Sequence, residues 1–106
     1  MKIINLERGK GKTTRLLYAS EFNDMPILCS TNTEKKYLME QAERYGLKIS
    51  EPISVNDIVS NKLRGSEIAD KDILVDEAPM VLQNLLSSLG MRGGVRAITL
   101  TEKGVQ

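Results

Sequence analysis

The residues best suited to chemistry stand in two short runs. The first is Gly9-Lys10-Gly11-Lys12-Thr13-Thr14, which follows the apolar run Lys2-Ile3-Ile4-Asn5-Leu6 and precedes a stretch with helical apolar spacing. Glycines let a backbone curl until successive N–H groups face an anion, and a helix start adds unpaired donors and the positive end of its dipole. Gly9, Lys10, Gly11, Lys12, Thr13 and Thr14 are therefore the expected phosphate cradle. Lys12 supplies a full charge for β- and γ-phosphates, and the Thr13 hydroxyl is a ligand for Mg²⁺. The competing reading is a glycine-rich surface turn in a basic stretch. The full pattern Gly-x-x-x-x-Gly-Lys-Thr is not met, because Leu6 stands at its first glycine.

The second run is Ile73-Leu74-Val75-Asp76-Glu77-Ala78, an apolar stretch ending in two acids. Its apolar part reads as a parallel strand buried on both faces. At the carboxyl end of such a strand Asp76 would hold Mg²⁺, and Glu77 would orient and deprotonate an attacking water. The competing reading is a solvated pair of acids that starts a helix, with Pro79 in its first turn. The two runs support each other because both need the same rim of one sheet.

Composition narrows the classes. The chain has 106 residues, with 15 Lys and Arg against 14 Asp and Glu, no His and one Cys. That length suits one domain, residues 1–106. Balanced charge argues against a protein that mainly coats nucleic acid. Without histidine, proton transfer falls to carboxylates, Lys, Tyr or water. Cys29, in the apolar run Ile27-Leu28-Cys29, reads as a buried inert thiol. No apolar stretch is long enough to span a membrane, and a cytoplasmic location is expected.

The elements that must position these residues alternate between strands and helices. Strands are expected at Lys2–Leu6, Ile27–Ser30, within Ile49–Val55, at Ile73–Val75 and at Val95–Thr101. Helices are expected at Lys12–Phe22, with Leu16, Leu17, Ala19 and Phe22 as its apolar stripe, and at Glu34–Tyr45, with Tyr37, Leu38, Ala42 and Tyr45 inward. Thr31 or Thr33 caps the second helix and Gly46 stops it. Asn56–Val59 reads as one helical turn and Ser60–Asp72 as mostly loop. A helix from Pro79 carries Val81, Leu82, Leu85, Leu86 and Leu89, and Gly90 stops it. The pattern implies an α/β fold: three layers, α/β/α, around a mainly parallel five-stranded sheet.

On these residues the chain resembles P-loop NTPases of the class with an Asp-Glu second motif, and in particular the N-terminal RecA-like half of a helicase. Gly9–Thr14 resembles helicase motif I. Ile27-Leu28-Cys29-Ser30-Thr31-Asn32 resembles motif Ia, Asp76-Glu77-Ala78 motif II, and Ile98-Thr99-Leu100-Thr101 motif III or a sensor strand. The resemblance implies that the last strand lies between the first strand and the Ile73–Asp76 strand. It also implies that Thr101, rather than Thr99, is a polar sensor near the γ-phosphate; plain β-propensity explains these threonines equally well. It departs in having one domain where a helicase uses two. Size and style are those of small phage or prophage proteins.

The expected function is ATP binding with Mg²⁺-dependent hydrolysis, with Lys12, Thr13, Asp76 and Glu77 as the core. A DNA, replication or recombination partner and a homo-oligomer fit the resemblance. Arg92 or Arg96 would act as a finger across such an interface or stand in solvent. Arg8, Lys10 and Arg15 likewise read as phosphate contacts or solvated charges. The alternatives are a nucleotide-dependent binding module without turnover and a small nucleoside kinase resembling thymidine kinases.

Overall fold

A computed structural model describes residues 11–99. Helix α1, Lys12–Asn23, opens that span and leads to strand β1, Ile27–Cys29. Helix α2, Asn32–Arg44, returns the chain to strand β2, Ile53–Ser54, and helix α3, Val55–Val59, follows directly. After a 3₁₀ turn at Glu67–Asp70 come strand β3, Leu74–Val75, and helix α4, Ala78–Ser88.

The sheet order is β2-β1-β3, and both pairings are parallel. Leu28 is opposite Ile53 on one side and Val75 on the other. Parallel pairing requires a crossover of a dozen or more residues, and α2 supplies the first. The alternation of side chains along β1 divides the core in two. Ile27 and Cys29 pack with Leu16 and Leu17 of α1 and Leu38 and Ala42 of α2. Leu28 faces the other way, into a cluster with Ile53, Val55 and Val81 of α4. Cys29 is fully buried, and its thiol donates to the Ile53 carbonyl.

Local chemistry explains the element ends. The Thr31 side chain accepts from the Glu34 amide and caps α2. Ser54 and Asp57 form a reciprocal capping box on α3, and the Asp57 carboxylate also takes Lys35 Nζ at 2.9 Å. Burial pushes the Asp57 carboxyl up, but the Ser54 amide and the Lys35 ammonium outweigh it and hold the group below its usual range. Gly46, at φ 70°, lets the chain leave α2 in the left-handed region.

The expected five-stranded core of a P-loop NTPase is corrected: among the described residues the sheet has three short strands accompanied by four α-helices. Residues 95–99 form no strand. The Val95 amide, which a strand would give to a neighbouring carbonyl, donates to Gln83 Oε1 at 2.6 Å. The expected strand at Lys2–Leu6 lies outside the described residues. The Ile73–Val75 run is not buried on both faces either, since Ile73 and Val75 are about two-fifths exposed (42% and 40%). Two helical stripes also narrow. Phe22 is 90% exposed on α1, and Tyr37 and Tyr45 are half exposed on α2. Leu16 and Leu17 already fill the space over Ile27, and Leu38 and Ala42 do the same from α2.

Candidate functional site

Parallel strands end their carbonyl rows on one edge, and helices that follow them begin there. In this chain β1 leads into α2 and β3 into α4 at that edge. The start of α1 comes to the same place: Lys12 Nζ lies 3.2 Å from Glu77 Oε1, across 65 residues of sequence. Gly11, Lys12, Thr13, Thr14, Tyr37 and Glu77 line a cleft of about 310 Å³. The structure thus joins most of the first expected run to the second.

Gly11 is the N-cap of α1 at φ 83°, a conformation that costs glycine little. Among the described residues no side chain caps α1, and its first turn holds no acid. Helix α4 starts the same way, with Glu77 itself at the N-cap in the left-handed region at φ 57°. Helices α2 and α3, by contrast, have side-chain caps and an acid in the first turn. The start of α1 thus carries Lys12 to the cleft with no acid of its own at its amide end, while α4 brings the carboxylate of its N-cap residue Glu77.

The Lys12–Glu77 pair is half open to water, with side chains 30% and 46% exposed. Such a pair stabilises the fold by less than about 1 kcal/mol. An incoming phosphate can take Lys12 from Glu77 at small cost.

Asp76 is not in the cleft lining but lies within electrostatic range of it. Its amide donates to the Leu28 carbonyl at 3.0 Å, which continues the β1–β3 ladder. Burial pushes its carboxyl up, the negative charges of Glu77 and Glu34 push it further, and Lys12 pulls it partly back. An acid whose folded pKa is raised binds its proton more tightly in the folded state. Its charge therefore opposes folding as the pH rises above the unfolded value of 3.8. A divalent cation beside Asp76 would relieve that cost.

Among the described residues no group of three or more His, Cys, Asp or Glu side chains gathers to hold a metal. Mg²⁺ needs less than that: one or two protein oxygens with water and substrate phosphates complete its shell. Of the two residues expected to hold Mg²⁺, Thr13 lines the cleft and Asp76 does not. Asp76→Asn removes the charge that opposes folding and is expected to raise the melting temperature of the free protein at neutral pH, which scanning calorimetry will read.

The other expected site residues fall in two groups. Gly9, Lys10, Arg8 and Thr101 lie outside the described residues. Thr99, Arg92 and Arg96 are exposed, in a stretch without regular structure. Two residues enter that sequence reasoning missed as site residues. Glu34 accepts from the Ser30 amide at 3.3 Å and adds charge beside Asp76. The spacing Thr31-x-x-Glu34 of a helix cap was its sequence signal. The spacing predicts Tyr37 on the buried face of α2, but it is half exposed and lines the cleft. Outside the cleft lining, Ser30 Oγ at the end of β1 is buried without a hydrogen-bond partner among the described residues.

No family model matches the chain, and no curated protein or solved structure matches it either.

Proposed function

We propose that the cleft binds the phosphates of a nucleoside triphosphate together with Mg²⁺ and that the protein hydrolyses the γ-phosphate. The observation that carries this reading is the Lys12–Glu77 contact at 3.2 Å within the cleft built on the α1 start. It sets a cation for phosphate and a carboxylate for water within one hydrogen bond of each other.

Binding exchanges partners. Lys12 leaves Glu77 for the β- and γ-phosphate oxygens, where two anions outcompete one exposed carboxylate. The amides of the α1 start face the same oxygens. Glu77, released from Lys12, accepts a proton from water as the water oxygen bonds to the γ-phosphorus. The bond from that phosphorus to the β-bridging oxygen breaks, and the electron pair leaves with the nucleoside diphosphate. Mg²⁺, held by Asp76 and Thr13, would neutralise charge on the phosphate oxygens. The described residues bring no arginine to the cleft, so unassisted turnover is expected to be slow.

Glu77→Gln separates the two roles. Its amide keeps the shape but cannot take a proton, so phosphate release is expected to fall by about a hundredfold or more. It also frees Lys12, so affinity for ATP without Mg²⁺ rises. Unchanged release by the variant would remove Glu77 as the base. Tight ATP binding with no release from the unaltered protein would favour a nucleotide-dependent binding module instead.

A further inference from the structure

Tyr37 is the one aromatic residue in the wall of the cleft, beside Gly11–Thr14 and Glu77. The chain has only three Tyr, one Phe and no Trp. None of these four rings is used in the core: Tyr18, Tyr37 and Tyr45 are about half exposed and Phe22 almost wholly so. A scattered exposed aromatic needs no explanation. A ring sharing a cleft with a lysine and an uncapped helix start is a different case.

The geometry of α2 gives the reason it is there. Leu38 and Ala42 anchor one side of the helix in the core. Tyr37 lies one residue before Leu38, about a hundred degrees round the helix, and so falls on the flank. A helical side chain covers the turn on the N-terminal side of its own Cα. For Tyr37 that direction is back toward Thr31, where α2 begins at the carboxyl edge of the sheet. The start of α1 and Glu77 are at that edge too.

Resting on the reading of the cleft as a phosphate site, we propose that Tyr37 is the platform on which the base of the nucleotide stacks. A site with donors for a polyanion and one flat ring selects a ligand that has both a phosphate chain and an aromatic base. Every base has a π-face, so stacking on one ring discriminates little between them. The predicted ligand class is accordingly nucleoside triphosphates in general, with inorganic polyphosphate held by the phosphate end alone. The cleft volume of about 310 Å³ is at the small end of the range for such sites, which leaves part of the ligand in solvent.

The test is calorimetry of the full chain with Mg²⁺, using ATP, GTP, dTTP and inorganic tripolyphosphate as ligands. Stacking on a protein aromatic changes affinity by roughly five- to a hundredfold. The unaltered protein is expected to bind the three nucleotides within a few-fold of one another and at least fivefold more tightly than tripolyphosphate. Tyr37→Ala is expected to lose about tenfold for each nucleotide and nothing for tripolyphosphate, and Tyr37→Phe to keep the unaltered values. Nucleotides that bind no better than tripolyphosphate would overturn the platform and leave the phosphate site standing. Loss of tripolyphosphate affinity in Tyr37→Ala would also overturn it, as the signature of a structural role. Failure of every ligand to bind the unaltered protein would overturn the phosphate site and the platform with it.

Discussion

Lys12→Ala is expected to weaken binding of Mg²⁺·ATP by about a hundredfold. Charge-assisted hydrogen bonds to phosphate contribute roughly 1.5–3 kcal/mol each, and the alanine removes the ammonium that makes them. It also leaves Glu77 without its cation, so the carboxylate beside Asp76 and Glu34 now repels the ligand. Both effects act in the same direction. The fold should be unharmed, because the Lys12–Glu77 pair is exposed on both sides. Calorimetry should therefore show the loss while the melting temperature stays within about 2 °C of the unaltered protein. Retained affinity would remove the basis of the proposed function, since no other described residue in the cleft lining carries a positive charge.

The second large effect is on stability. Leu17 is fully buried where α1 meets Ile27 and Leu38. Leu17→Ala should cost about 3 kcal/mol, from the lost transfer of its methyl groups and the cavity left behind. For a domain of this size that is a large share of a total stability of roughly 5–15 kcal/mol. Urea unfolding should show a lower midpoint with an unchanged slope. Phe22→Ala on the same helix is the control. Its ring is 90% exposed, and the change should stay within about 0.5 kcal/mol. A Phe22 variant as costly as the Leu17 variant would contradict the placement of α1.

The contrast between Leu17 and Phe22 shows what was legible in the sequence. Helix positions followed from local signals: the glycine before Lys12, the Thr31 cap, and Pro79 in the first turn of α4. These features act within a few residues, and the structure keeps them. Which face of each helix is covered depends on distant partners. Spacing marked Phe22, Tyr37 and Tyr45 as inward as readily as Leu17 and Leu38. Only the packing over Ile27 and Cys29 decides between them.

The sheet was less legible for a related reason. Val95–Thr101 has the composition of a strand, but a strand needs a neighbour, and Gln83 takes the Val95 amide instead. At the site, the approach of Lys12 to Glu77 was foreseeable because the sequence pattern puts both at the start of a helix on one expected edge. The entry of Tyr37 and Glu34 was not, because it depends on the rotation of α2 about its own axis. That rotation is set by Leu38 and Ala42.

Cys29 gives the molecule a built-in clock. It is the sole cysteine, it is fully buried, and burial with the nearby Glu34 and Asp76 pushes its thiol up to about 11. At neutral pH about one thiol in ten thousand is then ionised in the folded state. Thiol reagents attack the ionised form, so labelling waits for the sheet to open between β1 and its helices. The rate at which a reagent consumes Cys29 is in effect a count of those openings, taken at the centre of the sheet.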